Sequence, residues 1–234
     1  MSTAHPTVHK QPSKKPQSVF ETVYAFPPNR ETLGGTAYLI LEQDANGQSA
    51  NILVDSPAFN EVNQTFIAAH GGIHTLFLTH RGGMAQAKAF QSKFEAQVLV
   101  QEQEAYLLPG VEPQVFHRDR TLSATSRVFW NAGHSPGSSC LYHSEYGGIL
   151  FTGRHLLPTK GGAPSPLRLS KTFHWPRQLR YAKQLLTDFT PETLSTICPG
   201  ANTGFLRGEK KIDNAYARLE AIDWNALAVV TPVL

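Results

Sequence analysis

The stretch Ile73-His74-Thr75-Leu76-Phe77-Leu78-Thr79-His80-Arg81-Gly82-Gly83-Met84-Ala85 decides how this chain folds. Residues 73–79 form a mostly apolar run that reads as a buried strand, and it delivers His80 to a glycine-containing loop. Met84 to Phe94 then reads as a helix, because Ala85, Ala87 and Ala89 favour that conformation. Three later segments also follow apolar, strand-like runs: Gly133-His134-Ser135-Pro136-Gly137-Ser138, Thr152-Gly153-Arg154-His155 and Pro199-Gly200-Ala201-Asn202-Thr203-Gly204.

Upstream of this unit, Val19 to Phe26, Thr36 to Leu41 and Asn51 to Val54 alternate or run apolar and read as strands of a meander. Asn60 to His70 reads as a helix with Phe59, Val62, Phe66 and Ile67 at helical spacing. Downstream, Ala96 to Val100 is a strand and Gln101 to Leu108 a short helix. Arg127 to Trp130, Cys140 to His143, Ile149 to Thr152 and Leu194 to Cys198 are further strands. Trp175 to Phe189 is an amphipathic helix striped by Leu179, Ala182, Leu185 and Leu186, and Lys210 to Ile222 a closing helix. A meander followed by strands alternating with helices predicts two packed sheets with helices outside.

The chain has 234 residues, 41% hydrophobic and 17% charged, with a formal net charge of +3. These are globular values, and no basic run in the expected fold suits nucleic acid. No stretch approaches the ~18 apolar residues needed to span a bilayer. Residues 1–17 carry Lys10, Lys14, Lys15, Pro6, Pro12 and Pro16 with no acid, which predicts a flexible basic tail ahead of one domain over residues 18–234. Cys140 and Cys198 read as buried, reduced thiols, and the protein as cytoplasmic.

The four loops, in this order, resemble the metal-binding loops of the metallo-β-lactamase superfamily, and Gly133-His134-Ser135-Pro136-Gly137-Ser138 is close to that family's Gly-His-Thr-Pro-Gly-Ser. The resemblance spans roughly residues 19 to 222 and implies an α/β fold, a four-layer αβ/βα sandwich. In the family the first loop reads His-x-His-x-Asp-His; the second supplies a His, the third a bridging Asp and the fourth a His. By this resemblance His80 and His134 stand at ligand positions. Gly82, Met84 and Ala85 replace three first-loop ligands, Arg154 the bridging Asp and Ala201 the last His. Asp55 matches an Asp that steadies the first loop in many members.

Glycine and alanine bring no donor atom, a thioether suits a hard metal poorly, and arginine is always cationic. At ~4 Å, a dication and Arg154 would repel by several kcal/mol even at a protein-like dielectric. The expectation is therefore a chain without the two-metal centre and with no resident cofactor. Its old active-site mouth binds an anionic small molecule or a partner protein, through His80, Arg81, Gly82, Gly83, His134, Ser138, Arg154 and Asn202. The alternative is a hydrolase of an ester, thioester or phosphoester in which His80 and His134, with Asp55, hold one zinc, iron or manganese ion and carry the catalysis. His155 or Cys198 could also replace a lost ligand, and the glycine-rich loops could equally serve only tight turns.

Overall fold

A computed structural model describes residues 14–233. Residues 1–13 of the expected tail lie outside the described residues. The first sheet has seven strands in sequence order: β1 Gln17–Phe20, β2 Val23–Ala25, β3 Tyr38–Ile40, β4 Ile52–Val54, β5 Thr75–Leu78, β6 Gln97–Gln101 and β7 Gln114–Phe116. It changes from antiparallel to parallel pairing at β4. Next come β8 Asp119–Thr121, β9 Ser126–Trp130, β10 Ser139–His143 and β11 Ile149–Gly153, then a small outer ribbon of β12 Leu157–Pro158 and β13 Pro164–Ser165. Two more strands, β14 Thr196–Pro199 and β15 Ile212–Asp213, complete a second sheet ordered β15-β14-β11-β10-β9-β8. The helices are α1 Glu61–Ala69, α2 Ala87–Phe94, α3 Trp175–Asp188, α4 Ala215–Glu220 and α5 Trp224–Ala228.

Period-two alternation builds the layers. On β5, Phe77 points between the sheets with Tyr38, Val54, Leu141 and Phe151, whereas Leu76 and Leu78 pack outward with Ile67 of α1 and Phe90 of α2. On the second sheet, Leu150 and Ile197 pack outward with Ala182 and Leu185 of α3 and Leu219 of α4. The result is the four-layer αβ/βα sandwich, with three apolar layers between its elements. Cys198 is buried between the sheets and Cys140 beneath α3, both unpaired.

Two local expectations differ. The run Val19 to Phe26 is two strands, because the chain turns at Glu21-Thr22 and folds β1 back on β2. Lys210 to Ile222 is not one helix. Ile212 is buried in a short strand against Ile197, Asn214 takes φ 53°, and only then does α4 begin. Glu209-Lys210-Lys211 therefore precedes a strand, with Lys211 bonded to Asp213 at 2.5 Å. Arg118-Asp119-Arg120 is exposed charge, with Asp119 and Arg120 in the edge strand β8. Among the described residues no helix is long and apolar enough to cross a membrane.

Candidate functional site

The four loops meet at one end of the sandwich. Asp55 follows β4, His80 follows β5, His134 precedes β10, Arg154 follows β11 and Ala201 follows β14. Two cross-sheet backbone bonds close this end: Ser139 N–H donates to Thr79 O at 2.8 Å and Thr36 N–H to Gly200 O at 2.8 Å. Gly200 N–H donates to Gly153 O at 2.7 Å and extends the β11–β14 pairing within the second sheet. Gly153 adopts φ +52°, and a Cβ there would stand 2.2 Å from Thr79 Oγ1. The sheets approach this closely only because that position lacks a side chain.

At the centre is a relay that sets the His80 tautomer. Asp55 Oδ1 accepts from Thr79 N–H at 2.8 Å, and Asp55 Oδ2 accepts from the Thr79 hydroxyl at 2.7 Å. That hydroxyl, having donated its only hydrogen, accepts from His80 Nδ1, 2.9 Å away. His80 Nε2 is thereby left as a bare lone pair, buried and without a protein partner. Asp55 lies on the opposite, Nδ1 side of the ring, 4.0 Å from that nitrogen. It positions His80 and does not reach the atoms His80 Nε2 would touch. Burial raises the Asp55 pKa to about 6, Glu104 adds to this, and the Thr79 bonds and Arg154 oppose it.

The His134 ring stands edge-on to His80, with centroids 5.2 Å apart. Burial pushes His134 down to about 4, with Arg154 and Arg81 acting in the same sense. Burial also holds His80 well below its usual range, reinforced by His134, Arg154 and Arg81. Both imidazoles are neutral at pH 7 beside two cations. Arg154 crosses the mouth, and its Nη2 donates to the Thr32 and Leu33 carbonyls, each at 2.9 Å. Its Nε is buried without a partner.

The structure brings together His80, Arg81, Gly82, His134 and Arg154, while other expected residues face elsewhere. Ser138 is buried in its own turn, its hydroxyl accepting from Ser135 N–H at 2.8 Å. Gly83 donates to His80 O, and a Cβ on it would lie 2.2 Å from Asp55 Oδ1, so it is the seat of the Asp55 carboxylate. Asn202 takes φ 57° and lines a separate cavity with Leu157 and Phe205. His155 is buried near His134, neither ring nitrogen has a protein partner, and burial pushes it down to about 3, with His134 adding to the fall. Cys198 points between the sheets.

Sequence reasoning missed Thr79, whose only signal was its place before His80. It also missed Glu104, buried with Oε1 accepting from Gly137 N–H at 3.1 Å, and the loop carbonyls that hold Arg154. At the far end of the sandwich, Ser126, His143 and Glu42 are mutually bonded, but the His143 and Glu42 side chains are only 3% and 5% exposed. Burial would raise Glu42, yet hydrogen bonds from His143, Ser126, Ser123 and Thr125 hold it at about 2. The cluster is a closed polar plug rather than an accessible nucleophile.

The donor set does not fit a two-metal centre. Positions 82, 84, 85 and 201 offer no nitrogen or oxygen side-chain ligand, and position 154 offers a cation. Among the described residues no three His, Cys, Asp or Glu side chains stand together as metal ligands would.

No protein-family model and no curated protein matches the chain. Solved structures do. ETHE1 from Myxococcus xanthus is 18% identical with a TM-score of 0.62, over 88% of this chain and 87% of its own. A metallo-beta-lactamase superfamily protein from Sulfolobus tokodaii, ST1585, is 12% identical with a TM-score of 0.58, over 85% and 83%. TTHA1623, solved in a di-iron-bound form, is 19% identical with a TM-score of 0.59, over 79% and 98%. Identities this low speak to architecture alone, and on that ground the chain has the metallo-β-lactamase fold.

Proposed function

We propose that the cleft binds a small anionic molecule without a two-metal centre. One observation carries this reading: Arg81 and Arg154 act on two buried neutral imidazoles in a cleft whose Asp55 is wholly engaged by Thr79. Positive charge in such a place favours an anion. The His80 tautomer narrows the choice, since Nε2 can only accept. A ligand that satisfies it presents a hydrogen next to its negative group, as a 2-hydroxy acid or a singly protonated phosphate does. The buried, unpaired Cys140 and Cys198 support a cytoplasmic setting.

A second reading has its own support. A histidine whose Nδ1–H is held and whose Nε2 is free is also the form that ligates a metal, so His80 and His134 could hold one zinc, iron or manganese ion in a hydrolase. Bound, such an ion would supply Lewis-acid activation of an ester, thioester or phosphoester. Elemental analysis together with thermal shift separates the two. The anion reading expects stabilisation by phosphate or lactate in the presence of chelator, lost in Arg81→Ala. One equivalent of metal, lost in His134→Ala, overturns it in favour of the hydrolase. Neither response directs attention to a protein partner.

A further inference from the structure

The geometry points to the rest of the ligand: we infer an amphipathic anion, whose apolar chain lies in a cavity beside the first loop and whose charge sits at Arg81. This deepens the anion reading and rests on it. The cavity, about 550 Å³, opens between the loop that carries Leu33, the start of α2 and the segment 107–111. Its volume falls within the ~300–1,000 Å³ of small-molecule sites.

The walls are apolar where the fold's relatives by resemblance would place metal ligands. Met84 and Ala85 line the cavity, with Leu33, Leu107, Leu108 and Val111 opposite. Leu33 is 82% exposed at φ 53°, held there because Arg154 takes its carbonyl and that of Thr32. An exposed leucine fixed over an apolar hollow gains by being covered.

The charges on this wall select the sign. Arg81 and Lys88 line the cavity, and its one acid, Glu31, is bonded to Gln86 Nε2 at 2.6 Å. Gly82, which also lines the cavity, lies against the His80 ring, where a Cβ on it would stand 2.8 Å from Nε2, so cavity and cleft meet at the Arg81-Gly82 turn. A carboxylate at Arg81 can send a chain toward Val111 while its head stays beside the histidines. A neutral apolar ligand would leave Arg81 unanswered, and a short anion would leave Leu33 and Leu107 bare.

Calorimetric titration of the full chain with acetate, butyrate, hexanoate and octanoate, alongside 1-octanol and inorganic phosphate, tests this. The carboxylates should tighten with length, by up to about fourfold per methylene until the cavity is filled. Octanol should bind at least tenfold more weakly than octanoate. Ala85→Trp, at an exposed position, and Leu107→Asp, at the rim, should each abolish the length dependence while phosphate still binds. Binding independent of chain length, with phosphate still bound, overturns the amphipathic inference and leaves the anion reading standing. Octanol binding as tightly as octanoate overturns the role of Arg81. No binding of any anion overturns both readings together.

Discussion

Acidification from pH 7 to pH 5 should cost this protein at least about 3 kcal/mol of folding stability. Three imidazoles at one end of the sandwich carry the loss. His134 is held at about 4 and His155 at about 3, and His80 lies well below its usual range, in each case mainly through burial. The unfolded chain, with histidines near ~6.5, takes up protons that the folded chain refuses, so stability present above ~6.5 falls with pH. At pH 5 His134 and His155 each cost about 2 kcal/mol relative to pH 7, about 4 kcal/mol together, and His80 adds to the loss in the same direction. Asp55 runs the other way. Its folded pKa of about 6 lies above the unfolded value, so the folded chain holds the extra proton and recovers about 1 kcal/mol over the same interval. The net is a large fraction of the ~5–15 kcal/mol that stabilises a typical domain. Urea unfolding at both pH values, followed by tryptophan fluorescence, measures it. His155→Gln should remove about 2 kcal/mol of the difference whatever its effect at pH 7. A difference below about 1 kcal/mol in the wild-type chain would refute burial of neutral imidazoles as the source.

Gly83→Ala places a Cβ 2.2 Å from Asp55 Oδ1 and should lower stability by about 2–3 kcal/mol in urea melts; a change under ~0.5 kcal/mol would show that the loop yields freely. Thr79→Val leaves Asp55 Oδ2 and His80 Nδ1 without a partner and should cost about 2 kcal/mol, with Thr79→Ser recovering most of it. Nitrogen chemical shifts of His80 in the valine variant should show loss of the single tautomer, and an unchanged tautomer would sink the relay. Arg154→Ala removes both bonds to the 32–33 carbonyls and should speed amide exchange and protease cleavage across residues 30–35, while exchange in β5 stays unaltered.

The sandwich was readable because its layers are written at period two. Leu76, Phe77 and Leu78 alternate between two cores, and the strand ends are marked by Asp55, His80, Gly153 and Gly200. The shortest pieces left no such mark. Two-residue β15 has one buried side chain, and β8 is exposed throughout, so neither offers a pattern longer than a turn. At the site, the order of the loops placed His80, His134 and Arg154 at one end of the fold. What Arg154 touches was not readable, because Thr32 is 122 residues away in sequence and only the closed sandwich brings its carbonyl within reach. The relay was hidden for another reason: a threonine before a histidine has no meaning until Asp55 arrives from β4. Ser138 and Asn202 looked like free donors because sequence does not tell a hydroxyl closing its own turn, or an amide facing another hollow, from one facing a ligand.

The two bonds from Arg154 set terms for anyone who would install a metal in this chain. Nitrogen and oxygen ligands grafted at positions 82, 84, 85 and 201 would still face a guanidinium at the fifth corner. Exchanging that guanidinium for a carboxylate removes the obstacle but unties residues 32 and 33, whose carbonyls it holds. Whichever step comes first is a loss: grafts made early gather around a cation, and the exchange made early frees the loop before any ion can repay it. Rebuilding such a centre therefore begins with a new anchor for the loop, such as a backbone donor supplied from the segment after β11, and only then with ligands.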